Sequence, residues 1–460
     1  MQPGVSPELW RSWNRPAAPR RSNNNWGAWV VVGIVVVVII GIIGSAGNIV
    51  NTPPPAEYPN PTYDFSVHSK DTLPTYFQPA NFPLVDPLFS VGSLHQARAG
   101  QTATLLDDGR VLIAGGYTIG NSLSSVVIDS AEIYNPATAS FLESKPLLTP
   151  RSDAAAAKLS DGKVLIAGGK DILGLALDSA EIYDPKTQKS VRTGTMAVAL
   201  YSATAVTLDD GRVLIAGGVN NSGLLSRAQI YDPDTGTFSS VSASFDGSVT
   251  ATKLRDGRVL VAGGTTSKGP DDSAWLFDPT VSGFSEVGSM SVGRQGATSC
   301  LLPDGRVMVV GGLGPDNTVN HTADIYDPRL QVFSTTQDLA DYRYRGTTTI
   351  LPDGSALLVG GVDQSGTAIK SVEFATPDGS PAPYGTMTVS RADQTATPLN
   401  DGTVLIVGGF SESSETTGAA SLFAPNGLPK LAPSGSPGAS SSPGASRSPS
   451  VSPSAGASSS

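Results

Sequence analysis

Cysteine is almost absent from this chain of 460 residues: Cys300 stands alone, so no intrachain disulfide staples the fold. A chain this long can bury a sufficient core without one. Histidine is scarce too. His68, His95 and His321 fall in separate segments, which argues against a histidine-rich metal centre. Charged residues make up 15%, too few for a polyelectrolyte held open by its own repulsion. Uninterrupted helical stretches are missing, because 51 Gly and 35 Pro punctuate the chain throughout. That excludes a helical bundle or coiled coil and favours short strands joined by turns. Positive charge is short in the body. Residues 1–21 hold Arg11, Arg15, Arg20 and Arg21 against Glu8, and Lys430 and Arg447 lie in the tail. The remaining 24 basic and 39 acidic side chains leave residues 22–429 at −15. An acidic body repels phosphate backbones, so no nucleic-acid partner is expected.

One long apolar run is present. Ala28–Ala46 reads AWVVVGIVVVVIIGIIGSA without a charge. As a helix it spans about 28 Å, close to the hydrocarbon thickness of a bilayer. Trp26 and Trp29 sit at one end, as interfacial anchors do, and the nearby positive charge all precedes the run. The expectation is a single-pass cell-membrane protein: a basic cytoplasmic segment at 1–27, a transmembrane helix at 28–48, and everything after it outside. The competing reading is a signal peptide cleaved after Ala46, with Gly44 and Ala46 as its small-residue pair. The length of the run favours the uncleaved anchor. Residues 49–87 carry nine prolines from Pro53 to Pro87 and read as a semi-rigid linker. Residues 426–460 are mostly Ser, Pro, Gly and Ala and read as a disordered tail.

Between them one unit is written seven times. Each copy has an Asp-Gly turn, its glycine at 109, 162, 211, 257, 305, 354 and 402. Six residues later a Gly-Gly pair begins, at 115, 168, 217, 263, 311, 360 and 408. Leu always stands three residues before the turn glycine, from Leu106 to Leu399. The intervals run from 46 to 53 residues, a period of propellers and solenoids. After the turn come apolar runs such as VLIAGG at Val111–Gly116, strands buried on both faces. A polar loop follows, then a second apolar strand with one aromatic: Tyr134, Tyr183, Tyr231, Phe277, Tyr326, Phe374 or Phe423. A short last strand carries Phe141, Phe238, Phe284, Phe333 or Tyr384, and the second copy lacks that aromatic. The first strand of each copy is made of small residues, as in Gln101–Leu106, which suits strands converging on an axis. The last copy ends at Ser421–Pro425 without a fourth strand, and Leu88–Ser93 resembles the missing one. The two chain ends should therefore complete one sheet and leave no open edge.

The recurring DG, GG and Y-D-P pattern resembles the kelch repeat, in the form seen in the galactose oxidase and kelch propeller superfamily. The resemblance covers about 88–425 and implies an all-β fold: a seven-bladed kelch-type β-propeller, four antiparallel strands to a blade, working as a monomer. It does not imply an activity, because this fold hosts enzymes and binding modules alike. Galactose oxidase implies a copper site of two His, two Tyr and a Cys–Tyr crosslink. This chain departs from that pattern at its histidines, and Cys300 takes a position held by small residues in the other copies. No cofactor, metal or catalytic residue is therefore expected.

One positional signal remains. Eleven residues before the turn glycine stand Arg98, Arg151, Arg294, Arg343 and Arg391, with Leu200 and Asp246 in the other two copies. Five guanidinium groups around a channel mouth would grip a carboxylate, a sulfate or an acidic peptide. The rival reading pairs them with blade acids such as Glu132, Glu181, Asp324 or Glu373. The function expected is a membrane-anchored extracytoplasmic scaffold for a surface protein or glycan, with the loops after each Gly pair as its binding face. The alternative is a propeller enzyme acting on extracellular carbohydrate.

Overall fold

In the computed structural model the described residues are 88–119, 124–224, 227–336, 338–376 and 380–425. The expected cytoplasmic segment, transmembrane helix, linker and tail lie outside them. Among the described residues no helix is long and apolar enough to cross a membrane. The one helical element there is the 3-10 turn Pro315–Asn317.

Each copy of the unit folds as a four-stranded antiparallel sheet. In the first blade Thr102–Leu105, Val111–Ala114, Ala131–Asn135 and Ser140–Ser144 pair in chain order. Blades two to six repeat that order. The seventh is built from Thr395–Pro398, Val404–Val407 and Ala419–Phe423, with Leu88–Ser93 as its outer strand. Leu88 faces Phe423 and Phe89 faces Leu422 in the register, so the chain's two ends share one sheet. Each innermost strand touches the innermost strands of both neighbours, first against last included. The ring is closed and has seven blades.

The second strand of every blade is buried along its whole length, as its uninterrupted apolar sequence requires. Strand periodicity splits its side chains between two neighbours. Val111 and Ile113 pack toward the seventh blade, Leu112 and Ala114 toward the second. Among the described residues seven apolar clusters lie one between each pair of adjacent blades, and a smaller eighth joins Val362, Ala368 and Ala392. A fully buried Leu, Ile or Phe in them is worth about 1.5–3 kcal/mol relative to exposure. Cross-strand aromatic pairs stiffen the outer edge, with ring centres 5.0 Å apart for Tyr134 and Phe141 and 4.8 Å for Tyr231 and Phe238. In the second blade the register opposes Tyr183 to Ser190, and in the sixth it opposes Phe374 to Ala382 rather than Tyr384.

The turn differs from the expected Asp-Gly hairpin in one detail. Only the glycine is left-handed, as at Gly109 with φ +81. Its N–H donates to Leu106 O at 3.0 Å, and Asp108 Oδ1 accepts the Arg110 N–H at 3.1 Å. This is a type I turn followed by a left-handed residue. The Gly-Gly pair joins blades. The second glycine of each pair donates its N–H to a carbonyl of the next blade, as Gly116 does to Arg151 O at 2.8 Å. A Cβ on Gly115 would collide with that same carbonyl.

Candidate functional site

The structure places the five motif arginines inside the blades. Arg98, Arg294 and Arg391 are fully buried, and Arg151 and Arg343 nearly so. Arg98 Nη2 meets Glu132 Oε1 at 2.8 Å, Arg151 Nη2 meets Glu181 Oε1 at 2.9 Å, Arg294 Nη2 meets Asp324 Oδ2 at 2.8 Å and Arg343 Nη2 meets Glu373 Oε1 at 2.7 Å. Each Nη1 also donates to the carbonyl of the first glycine of its own Gly-Gly pair. The structure thus shows, for four of these arginines, the pairing with blade acids that stands beside the ligand reading of the sequence. Apart from Arg343 Nε and Arg391 Nε their nitrogens are used by the fold, and at the four paired positions a ligand anion would have to displace a buried carboxylate. Burial pushes the basicity of Arg98, Arg151 and Arg294 down against the pull of those acids. Arg391 has Ser421 Oγ, at 3.2 Å, where the other four have an acid. Burial alone pushes it down to about 10.

The channel mouth is lined by the residues two positions further on. Gly100, Asp153, Ser202, Gly296, Arg345 and Asp393 all have φ between 53 and 62. The fourth blade places Gly247 in this conformation, one residue earlier. Their backbones bond around the axis, from Asp153 N to Gly100 O and from Ser202 N to Asp153 O, both at 2.8 Å. Asp393 N donates to Arg345 O at 3.1 Å and Gly100 N to Asp393 O at 3.3 Å. Four of these left-handed residues carry side chains, a strain that the surrounding ring must over-determine.

Two ion pairs sit on this ring. The Arg345 guanidinium grips Asp393 through two nitrogens, with Nε 2.6 Å from Oδ1. The Tyr117 hydroxyl donates to Asp393 Oδ2 at 3.2 Å. Lys170 Nζ lies 3.2 Å from Asp153 Oδ2 and 4.2 Å from the centre of the Tyr201 ring. The side chains of Asp393 and Asp153 are 13% and 17% exposed, enough to present an oxygen to the mouth. Burial pushes the Asp393 carboxyl up against the pull of Arg345. Burial and the Asp393 charge push the Tyr117 phenol well above its ordinary range, so it stays an O–H donor. Between Asp153 and Asp393 opens a cavity of about 200 Å³, lined also by Gln101, Ala154, Ser202 and Gln394. Gly100 admits this arrangement, because a Cβ there would meet Asp153 Oδ1 and the Tyr117 ring. Sequence reasoning stopped two residues short of this ring. The signal available was the recurrent R-x-G, R-x-D and L-x-S spacing at its positions.

The remaining reactive side chains are scattered. His95 Nδ1 contacts Glu132 Oε2 at 2.9 Å in the first blade, and His321 packs on Tyr342 with ring centres 4.5 Å apart in the fifth. Cys300 is buried in the cluster between blades five and six. Burial pushes its thiol up to about 12. The native protein should therefore leave Cys300 unmodified by a thiol reagent at pH 8 and expose one thiol after denaturation. Rapid native labelling in a disulfide-exchange assay would contradict this.

A family model described as the Kelch motif matches residues 201–243, the third blade. No curated protein matches the sequence. A solved structure described as a novel fungal alcohol oxidase with catalytic diversity among the AA5 family, in complex with copper, is similar in fold. Its TM-score is 0.59 at 16% identity, covering 74% of this chain and 76% of that one. The donors here do not fit such an ion. Among the described residues no three His, Cys, Asp or Glu side chains gather as a metal would need, and Cys300 lies in an apolar cluster without a tyrosine. The chain is an all-β protein, a seven-bladed β-propeller that carries a Kelch motif.

Proposed function

We propose that this protein is a monomeric binding scaffold whose ligand site is the channel mouth on the Gly-Gly face. In this reading residues 28–48 anchor it in the cell membrane and the propeller stands outside, where it engages a surface protein or glycan without a cofactor. One observation supports it most. The mouth gathers Asp153, Arg345 and Asp393 on a ring of left-handed backbone, with Lys170 beside Asp153, whereas four of the five motif arginines are paired with acids inside the blades. Strain and half-buried charge concentrated at one opening mark functional sites. The full chain carrying Asp153→Asn and Arg345→Gln should lose its binding to isolated cell-envelope fractions by about tenfold or more, the loss of one to two charged hydrogen bonds. Its circular dichroism spectrum should not change. Undiminished binding would overturn the proposal.

The enzyme reading draws on one observation of its own. Burial raises the proton affinity of Asp393 beside a second carboxylate in one cavity, and paired carboxylates are what general acid–base hydrolysis of carbohydrate uses. Release of reducing sugar by the wild-type chain, lost in Asp393→Asn, would favour that reading over the scaffold.

A further inference from the structure

We infer that the turn at 171–175 in the second blade is a docking knob for a protein partner, one that offers an apolar pocket bordered by basic side chains. The inference rests on the binding role proposed above for the Gly-Gly face and narrows the partner to a protein of that chemistry.

The turn comes first. Ile172, Leu173 and Leu175 are 67%, 75% and 47% exposed. Single aliphatic side chains in water are ordinary, but three in one short turn are not. The fold does not ask for them. Asp171 N donates to Leu175 O at 2.9 Å and Gly174 N to Asp171 O at 3.0 Å, while Asp171 Oδ1 accepts the Leu173 and Leu175 N–H groups at 2.8 and 2.9 Å. The sixth blade builds the same turn at 363–367, with Asp363 in the place of Asp171 and the same hydrogen bonds. There Gln364, Ser365 and Thr367 stand where the second blade has its three aliphatics. The seventh blade repeats the backbone bonds at 411–415 with Glu412, Ser413 and Glu415. One backbone thus carries polar side chains twice and aliphatic ones once, so the aliphatic choice serves something outside the turn. The knob is also braced and placed. Ala176 N donates to Asn221 Oδ1 of the third blade at 2.7 Å. Lys170 exchanges backbone hydrogen bonds with Ser152, the neighbour of Asp153, which sets the turn beside the channel mouth. A knob held in this way loses little freedom on binding.

Charge decides the kind of partner. On the same face the loops at 265–272, 313–321, 362–369 and 410–417 carry Asp271, Asp272, Asp316, Asp363, Glu412 and Glu415 against Lys268. Among the described residues only Glu412 of these six acids has an ion pair, with Lys370 at 3.9 Å. Such loops repel an anionic bilayer and an acidic protein surface. A basic surface is drawn to them while its apolar pocket receives Ile172 and Leu173. Neither end of the described chain covers this face. Leu88 and Val404 both oppose Phe423, at the Asp-Gly end of the seventh blade.

The test uses the full chain and the fluorescence anisotropy of a labelled amphipathic peptide of leucine and lysine. Comparison peptides carry glutamate for lysine or serine for leucine. The leucine–lysine peptide should bind about tenfold more tightly than either. Ile172→Ser with Leu173→Ser should weaken it by about tenfold and leave the melting temperature in place, because neither side chain is buried in the fold. Val281→Ser is the control, since Val281 is 74% exposed on the Asp-Gly face and its loss should change nothing. Asp272→Asn with Glu415→Gln should weaken binding by about threefold at about 20 mM NaCl and not at about 500 mM. Wild-type binding by the Ile172 and Leu173 variant, an equal loss in Val281→Ser, preference for the glutamate peptide, or no binding of the leucine–lysine peptide would overturn the inference. So would sedimentation with phosphatidylcholine vesicles that the Ile172 and Leu173 variant abolishes, because the turn would then enter lipid. Attachment to envelope fractions separates this inference from the reading beneath it. A loss in Asp153→Asn with Arg345→Gln, but not in the Ile172 and Leu173 variant, keeps the mouth and overturns the turn. The reverse keeps the turn and overturns the mouth.

Discussion

Replacing Val91 by Asp should lower the melting temperature by about 4 °C, and removing residues 88–93 should lower it further and bring aggregation. Val91 is 7% exposed and packs with Leu94, Tyr134, Phe141, Leu405 and Leu422 between blades seven and one. A carboxylate there loses the transfer energy of Val and gains no partner, together about 3 kcal/mol. For a domain of this size that corresponds to several degrees. Deletion does more. The strand Ala419–Phe423 would lose its outer partner, and its N–H and C=O groups would become an open edge ready to pair with another chain. The ring would also lose the covalent sharing of one sheet by two distant parts of the chain. Ser90→Asp is the control, because Ser90 is exposed in the same strand. Calorimetry on the three variants decides the matter. A deletion variant that melts with the wild type would mean that the seventh blade is stable with three strands.

This closure was legible because it rests on repeated local chemistry. Each Asp-Gly turn, each buried four-residue strand and each aromatic opposite another is specified within one copy, and seven copies give seven chances to read it. The likeness of Leu88–Ser93 to a fourth strand then located the seam. The channel mouth was not legible in the same way. What Gly100, Asp153, Ser202, Arg345 and Asp393 share is a left-handed φ, and their side chains differ in size and charge. A pattern of side chains does not report a shared backbone angle when the ring itself enforces it. The arginines carried two readings, a ligand grip and a pairing with blade acids, and the pairing is seen for four of them. They recur conspicuously, and recurrence with the blade pattern belongs to the fold rather than to a ligand. Their partners were within reach, since Glu132, Glu181, Asp324 and Glu373 occupy equivalent places in the third strand. Where Arg gives way to Leu200, the acid gives way to Gln229.

That exchange supports the second large effect. Arg151→Leu should cost about 3–5 kcal/mol, because it strands Glu181 in the interior without its cation. Glu181 is 1% exposed and accepts hydrogen bonds from Arg151 Nε at 3.0 Å and from Leu148 N at 2.8 Å. Adding Glu181→Gln should restore most of the loss. The third blade already holds Leu200 and Gln229 in these places, with Gln229 Oε1 accepting the Ala197 N–H at 2.8 Å and its amide N–H donating to Val198 O. The amide keeps the loop contact and removes the charge that made the cavity expensive. Arg391→Leu is the contrasting variant. It faces Ser421 and strands no acid. Its folded-state basicity is depressed to about 10, so below that pH the charged guanidinium weakens the fold, and the penalty fades as pH rises from there toward the higher unfolded value. Arg391→Leu should therefore cost much less than Arg151→Leu at neutral pH, losing hydrogen bonds to Gly408 O and Ala419 O but also a desolvated charge. Denaturant titration of the two single variants and the double variant measures all three quantities. A double variant as unstable as Arg151→Leu would show that the guanidinium holds the blade by packing and carbonyl contacts, and that the carboxylate it faces is incidental.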